Sequence, residues 1–169
     1  MRRGRCRATP EASPAMTKRL LIVAHVPSPN TMALRDAVVR GASSADVSGV
    51  EVVSRTPFEA SVKDVLEANA IILGTTENLG YMSGALKDFF DRTYYGVIDE
   101  KQGLPLGVFI RAGLDGTGTR RAIESITGGL RWKLVQEPMI LHGEWQDGFV
   151  DQVEELGLAM AAGLEAGVF

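Results

Sequence analysis

From about residue 18 onward, short apolar runs alternate with longer stretches of helical period. That alternation is the sequence signature of βαβ units, and it commits a chain to a largely parallel sheet covered by helices on both faces. The first run, residues 19–25, reads as a strand. Asn30 and Thr31 stand where a helix begins and where side-chain oxygens cap free N–H groups. That helix runs to about Gly41 and turns Leu34, Ala37, Val38 and Gly41 to one side. Residues 50–54 form the second strand. Residues 62–67 form a short helix with Val62, Val65 and Leu66 as its apolar side. Residues 70–74 are wholly apolar, as a strand buried on both faces must be. A helix over residues 83–95 faces Leu86, Phe89, Phe90 and Thr93 inward. Residues 104–112 are the fourth strand, followed by a helix over 119–130. A fifth strand, residues 132–142, is interrupted at Pro138, and residues 146–166 are a final amphipathic helix.

Five helix-linked strands predict a three-layer α/β/α sandwich around a five-stranded parallel sheet of order 2-1-3-4-5. In such sheets ligands bind outside the carboxyl ends of the strands, where the order reverses. The order makes strands one, three and four neighbours, and their following loops are the three unusual ones of the chain.

Composition narrows the function. With 169 residues, the chain suits one domain, expected over residues 18–169. Residues 1–17 carry Arg2, Arg3, Arg5, Arg7, Pro10 and Pro14 without an apolar period, and are expected to be a disordered basic tail. Met16 is a candidate translation start. A net charge of −3 argues against nucleic acid as a partner. Cys6 is the only cysteine, and His25 and His142 are the only histidines. An internal disulfide and a Cys- or His-rich metal site are therefore excluded, and a reducing, cytoplasmic setting is expected. No stretch is long and apolar enough to span a bilayer as a helix.

The loop at residues 25–31 presents Ser28, Asn30 and Thr31 at a helix amino end, a place that favours phosphate. It has no Lys or Arg and is not a Walker A loop. Simple helix capping explains Asn30 and Thr31 equally well. The loop at 74–84 offers Thr75, Thr76, Glu77, Asn78, Leu79, Gly80, Tyr81 and Met82, with Ser83 capping the next helix. Gly74 lets a ligand approach the backbone. Backbone donors beside apolar surface suit a flat heteroaromatic ring edged by carbonyls. The competing reading is a long connection of no special role. The loop at 112–119 supplies Ala112, Gly113, Asp115 and Gly116. Its G-x-x-G-x-G pattern follows the fourth strand, so it is no dinucleotide fingerprint, and Asp115-Gly116 is equally a plain turn. Arg120 and Arg121 would meet a phosphate of NADPH or stand solvated. His142 would donate to a substrate or serve structure.

Residues 74–93, GTTENLGYMSGALKDFFDRT, resemble the flavin-ring loop and following helix of two flavodoxin-like groups. These are the WrbA-type NAD(P)H:quinone oxidoreductases and the NADPH-dependent FMN reductases, whose loop reads G-[TS]-P-x-x-x-G-x-M-S-G. Ser28-Pro29-Asn30-Thr31 is similar to the flavodoxin phosphate loop T-G-N-T. The resemblance implies a flavodoxin-like fold and FMN, with its phosphate on the first loop and its ring between the other two. It implies NAD(P)H as co-substrate, a quinone or free flavin as electron acceptor, Tyr81 lining the substrate face, no obligatory protein acid or base, and a homodimer. Three residues depart from the pattern. Pro29 replaces a glycine and removes an N–H, Thr76 stands where proline is common, and Glu77 brings a negative charge that opposes an anionic reduced flavin. Two alternatives stay open: a flavodoxin-type electron carrier without turnover of its own, and a flavin-free interaction domain of the same fold. A response-regulator receiver is rejected, because the first strand ends Ala24-His25 without an acidic cluster.

Overall fold

The computed structural model describes residues 16–169; the expected basic tail lies outside them except for its last two residues. Strand β1 (Lys18–Ala24) is the hub of the sheet. It pairs in parallel with β2 (Val50–Arg55) on one side and with β3 (Ala70–Asn78) on the other, so that Ile22 stands opposite both Ser54 and Ile72. β3 pairs in parallel with β5 (Pro105–Ala112). β5 carries two short segments along its far edge, β6 (Lys133–Leu134) and β7 (Met139–His142). The order β2-β1-β3-β5-β6/β7 is the expected 2-1-3-4-5, with the fifth strand split in two. Residues 135–138 separate the pieces, and Pro138, lacking an N–H, cannot continue a ladder there.

Period-2 alternation within the strands builds two cores. Leu20, Ile22, Ile72 and Phe109 face α1 (Pro29–Ala42) and α5 (Gly148–Ala166), where Leu34, Val38, Val153 and Met160 close the layer. Leu21, Leu73, Val108 and Ile110 face α2 (Val62–Glu67), α3 (Gly84–Val97) and α4 (Thr117–Gly129), packing on Val65, Leu86, Phe89 and Ile123. The expected inward faces of α1 and α3 are buried throughout. α2 differs: Val65 is buried, but Leu66 is exposed. A helix this short turns only one row of side chains to the sheet.

Two further expectations are corrected. The helix after β1 starts one residue earlier than the sequence suggested, with Ser28 as its cap and Pro29 at its first position, the place where a missing N–H costs nothing. The segment after residue 74 is not a loop at first. β3 runs on to Asn78 and doubles back as β4 (Tyr81–Met82), an antiparallel hairpin pairing Glu77 with Met82 and Asn78 with Tyr81. Among the described residues, no helix is long and apolar enough to cross a membrane.

Candidate functional site

The carboxyl ends of β1, β3 and β5 lie side by side, so the segments that follow them meet at the place where a crevice is expected from the reversal of strand order. Each wall is built by local hydrogen bonding, which decides what remains for a ligand.

The wall after β1 is the amino end of α1. Ser28 and Thr31 form a reciprocal capping box: the Thr31 amide donates to Ser28 Oγ (3.3 Å), and the Ser28 amide donates to Thr31 Oγ1 (3.0 Å). Thr31 Oγ1 also donates to the Ser28 carbonyl at 2.9 Å. The hydroxyls expected to hold a phosphate are thus paired with each other at the helix start, and Thr31 is buried. Asn30 is exposed and stands outside the box. His25, at the root of this wall, was noted in the sequence as one of two histidines and as the end of the first strand, but was given no role in a site. Its amide donates to the Gly74 carbonyl (3.0 Å), and its Nδ1 is enclosed without a partner. Burial lowers its pKa, which keeps the imidazole neutral near pH 7. A histidine directly following an apolar strand at the reversal of strand order was the available signal.

The middle wall is the β3–β4 hairpin. Leu79 (φ 53°) and Gly80 (φ 73°) are its two turn residues, both left-handed as a type I′ turn requires. Leucine is a poor choice for that conformation, and this one is fully exposed. Thr75 Oγ1 accepts the Ser83 amide (3.1 Å), and Ser83 Oγ accepts the Leu86 amide (3.2 Å), tying the hairpin to the start of α3. Thr76 Oγ1 donates to Asn78 Oδ1 at 2.9 Å. Thr75 is buried, with its hydroxyl oxygen engaged by the Ser83 amide. Met82 is buried in the α3-side core and offers no soft surface. Gly74 makes room for the Phe109 ring, on which an added Cβ would collide. Tyr81 remains at the surface, 40% exposed.

The third wall is the β5–α4 loop. Glu77 reaches across from the hairpin and accepts both the Leu114 amide (2.7 Å) and the Gly116 amide (2.8 Å). Asp115 Oδ1 accepts the Thr117 amide (2.9 Å), and that bond lowers its carboxyl pKa, with a smaller contribution from nearby His142. Gly116 is left-handed (φ 73°) and lies against Ile140. Gly118 touches the hairpin so closely that an added Cβ would overlap the Gly80 carbonyl. Ala112 is buried at the end of β5, whereas Gly113 is exposed and faces open space. Leu114 is exposed. Arg120 pairs with Glu124 (2.8 Å) and Glu137 (2.7 Å).

Arg111, which the sequence did not single out, braces this wall from behind. Its guanidinium donates to the carbonyls of Ala112 (2.8 Å), Leu141 (3.0 Å) and Gly143, and lies 5.4 Å from the centre of the Phe149 ring. It thereby fixes the ends of β5 and β7 together. Among the described residues, no group of three acidic, histidine or cysteine side chains could hold a metal ion.

No protein-family model matches the chain. A flavodoxin from Aquifex aeolicus (strain VF5) is 31% identical over 108 residues, which is 64% of this chain and 57% of that protein. Among solved structures, a flavodoxin from the domain Archaea superposes with a TM-score of 0.71 at 22% identity, covering 86% of this chain and 98% of its own. A WrbA-like flavodoxin from Agrobacterium tumefaciens superposes with a TM-score of 0.69 at 18% identity, covering 89% and 98%. An oxidoreductase from Corynebacterium diphtheriae gives 0.65 at 14% identity, covering 90% and 98%. With a 2-1-3-4-5 sheet, helices on both faces and these superpositions, the chain has a flavodoxin-like fold.

Proposed function

We propose that this protein binds FMN in the crevice at the ends of β1, β3 and β5, and works as an NAD(P)H-dependent oxidoreductase on quinones or free flavin. The observation that carries the reading is the meeting of three specialised segments at the point where the strand order reverses. The crevice residues fit the ring part of FMN better than its phosphate. Around the rim, Leu79, Tyr81 and Leu114 keep exposed apolar surface, which suits the face of a flat ring. Gly113 leaves open space for close approach, and His25 Nδ1 is a buried polar atom still lacking a partner. For the phosphate, the first loop offers no Lys or Arg, and Ser28 and Thr31 are bonded to each other. Asn30 and the positive end of the α1 dipole are what remain.

FMN, when bound, supplies the two-electron chemistry, and the protein supplies position, access and electrostatics. Tyr81, partly exposed at the rim, is the side chain that would stack a nicotinamide or quinone ring. Arg120 is committed to its carboxylates, so recognition of an NADPH phosphate would fall to exposed Arg121 or be weak. That point, with the similarity to a flavodoxin, favours a second reading: an electron carrier reduced by another protein. A homodimer is proposed by resemblance alone.

Purified protein is expected to show a flavin absorbance spectrum, or to take up added FMN with quenching of its fluorescence. NADH or NADPH should then bleach the flavin, and a quinone should restore it. Protein that stays colourless and leaves FMN fluorescence unchanged would rule out both flavin readings. Bound flavin that neither nucleotide bleaches selects the carrier.

A further inference from the structure

Glu77 is the only side chain seen to join two walls of the crevice among the described hydrogen bonds. Its carboxylate starts on the hairpin strand β3 and ends on two amides of the β5–α4 loop, at 2.7 and 2.8 Å. Both oxygens are used, one per amide, and hydrogen bonds to an ionised acceptor are the stronger kind. The contact is reinforced two residues further on, where Gly118 and the Gly80 carbonyl are in close packing. The loop it holds is otherwise weakly anchored on the crevice side. Gly113, Leu114 and Asp115 are all exposed, and Gly113 has nothing within reach of an added Cβ. Arg111 braces the strand ends behind the loop but does not touch its tip.

We propose that Glu77 is a positioning residue for the crevice ligand: it fastens the β5–α4 loop to the β3–β4 hairpin and so fixes the shape of the wall that the two segments form together. The proposal rests on the FMN reading for the identity of the ligand, and on the hydrogen-bond geometry alone for the tether. Its chemical consequence is definite. The Leu114 and Gly116 amides, and the Thr117 amide taken by Asp115, are satisfied by the protein's own carboxylates. A ring edge lying against this wall therefore meets an already paired carboxylate, and a neutral or N–H-bearing edge suits it better than an anionic one.

The test uses the full chain with Glu77→Ala and Glu77→Gln. Gln keeps one acceptor oxygen, so it restores one of the two bonds and places an NH2 group against the other amide. In the absence of added FMN, hydrogen exchange at the Leu114 and Gly116 amides is expected to quicken about tenfold or more in Glu77→Ala, while the amides of β1 and β3 keep their protection. With FMN, the dissociation constant is expected to rise about tenfold or more in Glu77→Ala and less in Glu77→Gln. The visible circular dichroism of the bound flavin should change in the same order. Unchanged exchange at residues 114 and 116 would overturn the tether. Faster exchange with unchanged FMN affinity and unchanged dichroism would overturn the positioning role. If the wild-type protein takes up no FMN, the flavin reading fails and the ligand-positioning proposal fails with it. The exchange arm then shows separately whether the tether exists.

Discussion

His25 follows the last residue of β1, and its Nδ1 is enclosed without a hydrogen-bond partner. Burial lowers its pKa below the unfolded value of about 6.5. As the pH falls, the unfolded chain binds the proton first, so the folded state is favoured above that value and loses stability as the pH drops through it. Urea unfolding between about pH 5.5 and 7.5 should show this decline in the wild type and a flatter profile in His25→Gln. Parallel profiles for the two proteins would contradict the assignment. Ser28 makes a second residue-scale case. Its hydroxyl was read as a phosphate ligand, yet it caps α1 and bonds Thr31. Ser28→Ala should cost about 1 kcal/mol of unfolding free energy in chemical denaturation of the protein without flavin, a loss that no purely ligand-binding residue would show. The sequence marked this position as special but could not say which partner the oxygen would find, because capping and phosphate binding call on the same residue types.

Helix packing decides matters that helical periodicity leaves open. α1 and α5 lie against each other across two glycines. A Cβ on Gly41 would overlap the Glu154 carbonyl, and one on Gly157 would overlap that of Val38. Gly41 was legible as part of the buried face of α1, but nothing in the sequence near Gly157 announced a backbone contact. Gly157→Ala is expected to cost about 1–3 kcal/mol through forced separation of the helices, despite alanine's better helix propensity. A thermal melt reads the sign: a raised Tm would refute the close contact. The hairpin tells a similar story for strands. Thr75, Thr76, Asn78 and Gly80 look like loop residues, and a type I′ turn usually announces itself with Asn-Gly or Asp-Gly. Here the turn is Leu79-Gly80, and its second strand is only two residues long, so no alternating pattern was present to detect.

At the scale of the whole molecule, the sheet divides the interior into two cores that share only its backbone. Ile22 belongs to the α1/α5 side and Ile123 to the α2/α3/α4 side. Ile22→Val and Ile123→Val should each cost about 0.5–1.5 kcal/mol, and the double variant should lose their sum to within about 0.5 kcal/mol. A larger deviation in denaturant unfolding would mean that the two cores communicate through the sheet. The same layering explains why the crevice forms at all: helices on both faces leave only the strand ends open to a ligand.

The order of the five strands, the faces of α1 and α3, and the identity of the three segments that meet at the crevice were set by the sequence itself. These follow from local periodicity and from the narrow set of ways a βαβ chain can wind. The tertiary structure decided how the polar groups of those segments are used. Ser28 went to Thr31, Thr75 to Ser83, Glu77 to the loop beyond β5, and Arg120 to Glu124 and Glu137. A one-dimensional reading lists donors and acceptors, but a hydrogen bond needs atoms within about 3 Å of each other. For Glu77 and Leu114, far apart along the chain, only the folded sheet brings them that close.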